Sequence, residues 1–219
     1  MMKTIQRLLV LTAWIAALAA SCFGQAPDPI ATVCVLSQDL TSYSATIRMT
    51  QYQDDNESVI EFTFNFVPPN QMRILYTAPA TVVGQMMILN NDKFYTYIPS
   101  LHRSVWQDVG DGGGNQGKEM GFLYDFVTCS AAKKLEESEV SVGEGGETYL
   151  LEGTNESVEV NTLTLAIDEE RQVVLLNDED AAPVAISIYR NEDLTEKIEV
   201  LDYEINGLCD EAWFAIPEK

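Results

Sequence analysis

The sequence predicts a mainly β protein built on an antiparallel sheet that curls or closes. Three observations lead there. From about residue 43 onward, apolar and polar residues alternate with period two in segment after segment, the pattern of strands with one buried face. Turn-forming residues separate these segments at roughly eight to twelve positions, too closely for a βαβ succession. No residue pattern recurs with a period of roughly 20–50, which sets repeat architectures aside. The 219 residues suffice for one domain with a sizeable core, and a hydrophobic content of 46% is too high for intrinsic disorder.

The first element is an address. Lys3 and Arg7 precede an apolar stretch from Leu8 to Ala20, interrupted only by Thr12, and small residues follow. This is the three-part layout of a secretory signal peptide over residues 1–24, with an apolar stretch too short to span a bilayer. Cys22 and Gly24 are the small residues ahead of a cut after Gly24. The mature chain is therefore expected to be a single domain over residues 25–219, delivered to the periplasm or the cell exterior. A rival reading takes Ala19-Ala20-Ser21-Cys22 as a lipobox, with Cys22 acylated and the protein lipid-anchored; the usual Leu is missing from its first position. No other segment is long and apolar enough for a membrane helix.

Asp28 can then cap a helix with Pro29 in its first turn, carrying Ile30, Val33, Cys34 and Leu40 inward. The period next changes to two. Residues 43–52 alternate Tyr43, Ala45, Ile47 and Met49 against Ser44, Thr46, Arg48 and Thr50. Residues 59–67 set Ile60, Phe62, Phe64 and Phe66 against Glu61, Thr63 and Asn65, and residues 53–58 between them have hairpin-loop chemistry. Pro68-Pro69-Asn70 turns the chain into a strand over 71–77. Strands over 82–90 and 93–98 follow, joined at Asn91-Asp92, a tight-turn pair. A short strand runs over 101–107, and Asp111 to Gly117 is too glycine-rich for anything but a loop. Residues 119–137 are helical in pattern. Strands resume over 138–142, 147–153, 158–167, 171–176, 184–190, 196–205 and 211–216, about thirteen candidates in all.

Composition removes several functions. With 13 Lys and Arg against 34 Asp and Glu, the net charge is −21, and such a surface repels a phosphate backbone, so nucleic acid is not an expected partner. A single histidine, His102, leaves no multi-His metal site or His-based triad. The glycine-rich loop follows no buried parallel strand and carries no P-loop Lys-Ser. Asp108, Asp111, Glu119 and Asp125 are loop carboxylates without a nucleophile elbow or a base beside them, so no enzyme is expected. Asp178-Glu179-Asp180 matches no EF-hand spacing. No metal and no cofactor are expected. Cys34, Cys129 and Cys209 remain after cleavage, an odd number that allows one disulfide of unspecified pairing, or buried free thiols.

Residues 66–106 carry an ordered series of features. A Phe-rich strand leads into Pro69-Asn70-Gln71-Met72-Arg73-Ile74-Leu75-Tyr76 and Thr77-Ala78-Pro79. A strand ending in Asn-Asp follows, then Phe94 to Pro99 (FYTYIP), then Leu101-His102-Arg103. This order resembles the LolA-like family of periplasmic carriers that sort outer-membrane lipoproteins. Met120-Gly121-Phe122 with Tyr124-Asp125, and Ala212 to Pro217, are similar to the segment before that family's middle helix and to its closing strand.

The resemblance covers about residues 28–217. It implies an unclosed antiparallel β-barrel of roughly eleven strands, with helices over an apolar cavity that receives acyl chains. The implied lipid-binding residues are Ile60, Phe62, Phe64, Phe66, Met72, Ile74, Tyr76, Met86 and Ile88. Four of the seven Met residues (Met49, Met72, Met86, Met87) fall in these strands, where flexible thioethers suit disordered hydrocarbon. The implied partners are an acylated lipoprotein or lipid, inner-membrane export machinery and an outer-membrane acceptor, with the carrier acting as a monomer. An alternative on the same fold is a lipoprotein-sensing interaction module; regulatory relatives of that kind carry an added C-terminal domain, for which the chain has no residues after Lys219. The sequence departs from the family at Pro68, where the carriers have an Arg that serves in cargo transfer.

Overall fold

The computed structural model describes residues 36, 39–53, 56–108, 139–143, 146–151, 156–167 and 169–217. Six strands come first: β1 (Tyr43–Gln53), β2 (Asn56–Val67), β3 (Gln71–Ala78), β4 (Met86–Asn90), β5 (Lys93–Ile98) and β6 (Arg103–Asp108). Six more follow: β7 (Glu139–Val142), β8 (Glu147–Leu150), β9 (Ser157–Ile167), β10 (Glu170–Asn177), β11 (Pro183–Arg190) and β12 (Asp193–Ile205). All lie in one antiparallel sheet of order β6-β5-β4-β3-β2-β1-β12-β11-β10-β9-β7, with β8 also pairing β9. The two outermost strands, β6 and β7, do not pair, so the sheet is unclosed, as the resemblance implied. The signal segment 1–24, the glycine-rich loop 111–117 and the helices expected over 28–40 and 119–137 lie outside the described residues, apart from Leu36, Asp39 and Leu40. Helices over a cavity are therefore no part of the described fold.

Two runs of hairpins meet at β1 and β12. From β1 to β6 and from β8 to β12 neighbours in sequence are neighbours in space, because short turns favour antiparallel pairing, whereas β7 pairs β9 and not β8. Asn91, between β4 and β5, and the Asn191-Glu192 pair, between β11 and β12, adopt the left-handed conformation that such tight turns need, with φ of 57°, 49° and 67°. The return of β12 onto β1 is the one long-range closure, running Tyr43 opposite Ile205 through Gln51 opposite Glu196. Asn206 secures it at one end: its side-chain oxygen accepts from the Thr41 backbone N–H at 2.6 Å, and its amide donates to the Asp39 carbonyl at 3.2 Å. Register shifts of one residue interrupt the β1–β12, β2–β3, β10–β11 and β11–β12 ladders. Each such bulge bends its strand and increases the local twist.

Three sequence expectations are corrected. The strand expected over 82–90 begins only at Met86. Residues 79–84 form a tight turn in which the backbone N–H groups of Val82 and Val83 both donate to the Pro79 carbonyl, and Gly84 takes a φ of +79°. The strand expected over 101–107 starts at Arg103, because Pro99–Leu101 makes one 3-10 turn closed by His102 in the left-handed region. The strand expected over 211–216 is a 3-10 helix, Glu211–Phe214, whose first turn is capped by the Asp210 carboxylate accepting from the Ala212 N–H at 2.9 Å.

One face of the sheet carries the core. Tyr43, Ala45, Ile47 and Met49 of β1 stand opposite Phe66, Phe64, Phe62 and Ile60 of β2, and opposite Ile205, Tyr203, Val200 and Ile198 of β12. The same side continues through Ile186, Val174, Leu176, Leu163 and Leu165, and all of these residues belong to one hydrophobic cluster. The other face near the centre is polar. Arg48 meets Glu61 at 2.8 Å, and Asn65 donates to the Ser44 hydroxyl at 3.0 Å.

Phe64 sits at the centre of this cluster with no accessible surface. Phe64→Ala is expected to lower unfolding free energy by about 3–5 kcal/mol in urea titration, whereas exposed Ser58→Ala on the same strand stays within about 0.5 kcal/mol.

Candidate functional site

The register of β2 and β3 assembles six of the nine implied lipid-binding residues into three facing pairs. Phe62 lies opposite Tyr76, Phe64 opposite Ile74 and Phe66 opposite Met72. The Phe62 and Tyr76 rings are 5.7 Å apart and tilted, and Tyr43 meets Phe64 edge-on at 6.1 Å. Ile60 extends the row toward the hairpin end of β2 and is half-buried, packed against the edge of the cluster.

Strand β4 places the remaining two elsewhere. Leu89 pairs with Met72 and Met87 with Ile74, so Met87 and Leu89 share the apolar face. Met86 and Ile88 pair with Leu75 and Arg73 and stand on the opposite side. The run Met86-Met87-Ile88-Leu89 is apolar throughout, so its parity can be read only from its pairing with β3. The physical reason for the two-sided run is the C-terminal segment. The 3-10 helix 211–214 packs on β3 and β4 on that opposite side, where the Asn90 amide donates to the Phe214 carbonyl at 3.0 Å. Ile88 and Phe214 are both buried there. Met87 takes up the place expected for Met86, its sulfur 3.9 Å from the Tyr76 hydroxyl.

The face is covered at its centre. Tyr43, Ile47 and Phe64 have no accessible surface. Leu36 and Leu40, from the short segment ahead of β1, are buried in the same cluster. Half-buried Ile60, Val82, Met87, Leu89 and Ile188 form its margin. The sequence reading missed how far the face extends into β9–β12; the alternation in LTLAI and VAISIYR was the available signal.

One polar atom stands out on this side. The Tyr43 hydroxyl is buried and, among the described residues, is the one buried side-chain polar atom without a hydrogen-bond partner. Its ring stacks on Tyr203 at 6.2 Å. Tyr203 by contrast is fully engaged. Its hydroxyl donates to Asp180 at 3.0 Å and accepts from the Asn177 amide at 2.6 Å. Asp180 also accepts from the Ala182 N–H at 2.9 Å. Burial pushes the Tyr43 hydroxyl far above the ordinary phenol range, with Tyr203 and the Asp180 carboxylate adding to it. Tyr203 is raised too, by burial first and then by Asp180.

Among the described residues the other sequence candidates gather no metal-ligating cluster. Asp180 turns inward to Tyr203 while Asp178 accepts from the Asn161 amide, so the acidic triplet does not converge. Among the described residues no three metal-ligating side chains gather, and no helix is long and apolar enough to cross a membrane. Cys209 is a half-buried free thiol, raised by burial and then by Asp210. Cys22, Cys34, Cys129, Asp111, Glu119 and Asp125 lie outside the described residues.

The tyrosine shifts fix the sign of a pH effect. Folded Tyr43 and Tyr203 keep their protons where an unfolded tyrosine ionises, near about pH 10. Their contribution is complete below that pH and is lost as pH rises, because only the unfolded chain gains by ionising. The urea midpoint is expected to fall between about pH 9.5 and 11, and Tyr43→Phe is expected to flatten that fall.

No protein-family model and no curated protein matches the sequence. In three dimensions the chain is similar to an uncharacterized conserved protein from Thermus thermophilus, with a TM-score of 0.54 and 9% identity over 85% of this chain and 93% of that one. It is similar to MucB in the Pseudomonas aeruginosa MucA/MucB complex, with a TM-score of 0.52 and 11% identity over 85% of this chain and 58% of that one. A LolA superfamily protein from Nitrosomonas europaea aligns at a TM-score of 0.41 and 11% identity, over 84% of this chain and 94% of that one. At such identities the likeness to the Thermus protein and to MucB is one of fold, which in this chain is twelve antiparallel strands in one unclosed sheet, apolar across one side.

Proposed function

We propose that the protein is a periplasmic carrier that takes up the acyl chains of lipoproteins or lipids on its apolar face, acting as a monomer and without chemistry of its own. The observation that carries this reading is the continuity of that face. Phe62, Phe64, Phe66, Met72, Ile74, Tyr76, Met87 and Leu89 lie side by side on three adjacent strands, with Leu36 and Leu40 as part of what covers them. Acyl chains would replace the cover and exchange one set of apolar contacts for another, so uptake need not expose the face to water.

Magnitudes explain the need for such a protein. Each buried methylene is worth about 0.8 kcal/mol, so three acyl chains put on the order of 30 kcal/mol of hydrophobic free energy at stake in water. A carrier must shield that surface and still release it. Displacing a cover of a few side chains keeps the net cost of loading small. The net charge of −21 keeps a protein with a greasy face soluble and discourages adhesion to anionic lipid. Inner-membrane export machinery would load it and an outer-membrane acceptor would unload it. Pro68 stands where the carriers have their transfer Arg, so this chain would hand over its cargo without that group.

A second reading is an interaction module that senses lipoprotein and engages a protein partner. The observation that favours it is the fold likeness to MucB, which is seen in complex with MucA.

Organic extraction of protein isolated gently from its own periplasm, followed by mass spectrometry, is expected to yield stoichiometric acyl lipid or acyl-peptide. The half-buried margin allows a variant that folds: Ile60→Lys with Met87→Lys is expected to lower bound lipid at least about tenfold, since a charge in an apolar site is strongly disfavoured, while leaving the circular dichroism unchanged. Lipid-free native protein, or unaltered loading of the double variant, would sink the carrier. Intact mass of the mature chain is expected to place its first residue at Gln25. A start at Cys22 with an added lipid mass would make it membrane-anchored instead.

A further inference from the structure

The carrier reading leaves the Tyr43 hydroxyl unexplained. A buried donor without a partner is disfavoured, and most buried polar groups avoid that condition. Phe at this position would fill nearly the same volume without the penalty. Two hydroxyls stand on neighbouring strands here, and they are treated differently. That of Tyr203 is held by Asp180 and Asn177, whereas that of Tyr43, on a ring stacked 6.2 Å away, is held by nothing.

The place of Tyr43 matters as much as its state. It opens β1, directly after the segment whose Leu40 helps to cover the face. Across from it on β2 stands Phe66, and from Phe66 the row Phe64, Phe62, Ile60 runs along the strand to the half-buried margin. Six residues of strand measure about 20 Å. An acyl chain of a membrane lipid spans half of a hydrocarbon core of about 30 Å, so about 15 Å. A chain held by its head at Tyr43 would therefore end within the row.

We propose that the Tyr43 hydroxyl is the anchor for the carbonyl oxygen that joins an acyl chain to its head group, an ester or an amide, donating its hydrogen bond when cargo replaces the cover. This rests on the carrier reading and deepens it. A neutral carbonyl fits the position better than a free carboxylate, because the Asp180 carboxylate lies close enough to bear on Tyr43 and the surroundings are apolar. The Tyr203 hydroxyl, engaged with Asp180, keeps the stacked ring beside it in place and does not compete for the ligand.

Three probes with the same dodecyl tail test this by displacement of a fluorescent fatty ligand: 1-monolauroylglycerol (ester), the corresponding amide, and 1-O-dodecylglycerol, an ether without a carbonyl. The wild-type protein is expected to bind ester and amide about five- to tenfold more tightly than ether, the range for one net hydrogen bond. Tyr43→Phe is expected to abolish that preference, leave the ether affinity unchanged, and melt at the wild-type temperature or above. Preference for only one of the two carbonyl compounds narrows the cargo to that linkage and supports the anchor. Equal wild-type affinity for all three, a preference that survives in Tyr43→Phe, or a lowered melting temperature of that variant would overturn the anchor while leaving the carrier standing. Failure to bind any of the three would overturn both.

Discussion

Everything in this fold depends on parity: in a strand, a slip of one residue moves every side chain to the other face. The constraint is severe here because the buried side runs unbroken from β5 across β1 to β9. Tyr43, Ala45, Ile47 and Met49 each need an apolar residue opposite them on two strands at once, one in β2 and one in β12. Where a strand must bend, the ladder absorbs the extra residue as a bulge. Leu201 in β12 is such a residue, and Val200 and Tyr203 on either side of it remain on the buried face; Thr77 in β3 is another, with Tyr76 on the buried face and Ala78 opposite Glu61. Register is thus dictated by burial, and the polar face accommodates what remains, such as the Arg48–Glu61 pair at 2.8 Å.

The same constraint separates what could be read in the chain from what could not. Alternation over 43–52 and 59–67 was unambiguous, and the structure has β1 and β2 there, with Phe62, Phe64 and Phe66 on the side the pattern indicated. Alternation fails when both faces are buried. Met86 to Leu89 is apolar at four successive positions, so nothing local distinguishes Met86 from Met87; the pairing with β3 does. The cause is remote, since Phe214 covers the far side of β4 from the other end of the chain. Val82 and Val83 misled for the opposite reason. Their β-branched side chains resemble strand residues, but Pro79 and Gly84 set the backbone into a turn around them. Ala212 to Pro217 likewise has strand composition, and the Asp210 cap overrides it.

The order of the soft motifs in 66–106 carried more than any one of them. Pro68 to Asn70 forms the β2–β3 turn, Asn91-Asp92 forms the β4–β5 turn, and Phe94 to Ile98 lies in β5, so the series corresponds to four successive strands in their spatial order. The hydroxyl of Tyr43 was beyond reach. Its alternation marked it as a core residue, and only the arrangement of Tyr203, Asp180 and Asn177 reveals that one phenol is served and its neighbour is not.

An unclosed sheet must also end somewhere, and the manner of its ending restricts how copies of the chain can meet. The outermost strands are short: β6 spans six residues and β7 four. Arg103 and Asp108 put opposite charges at the two ends of β6, and the Trp106 indole donates to the Pro217 carbonyl at 3.0 Å. Brief, charged borders of this kind are poor templates for a visiting strand. A chain with so broad an apolar face thereby avoids adding itself, rung by rung, to its neighbour.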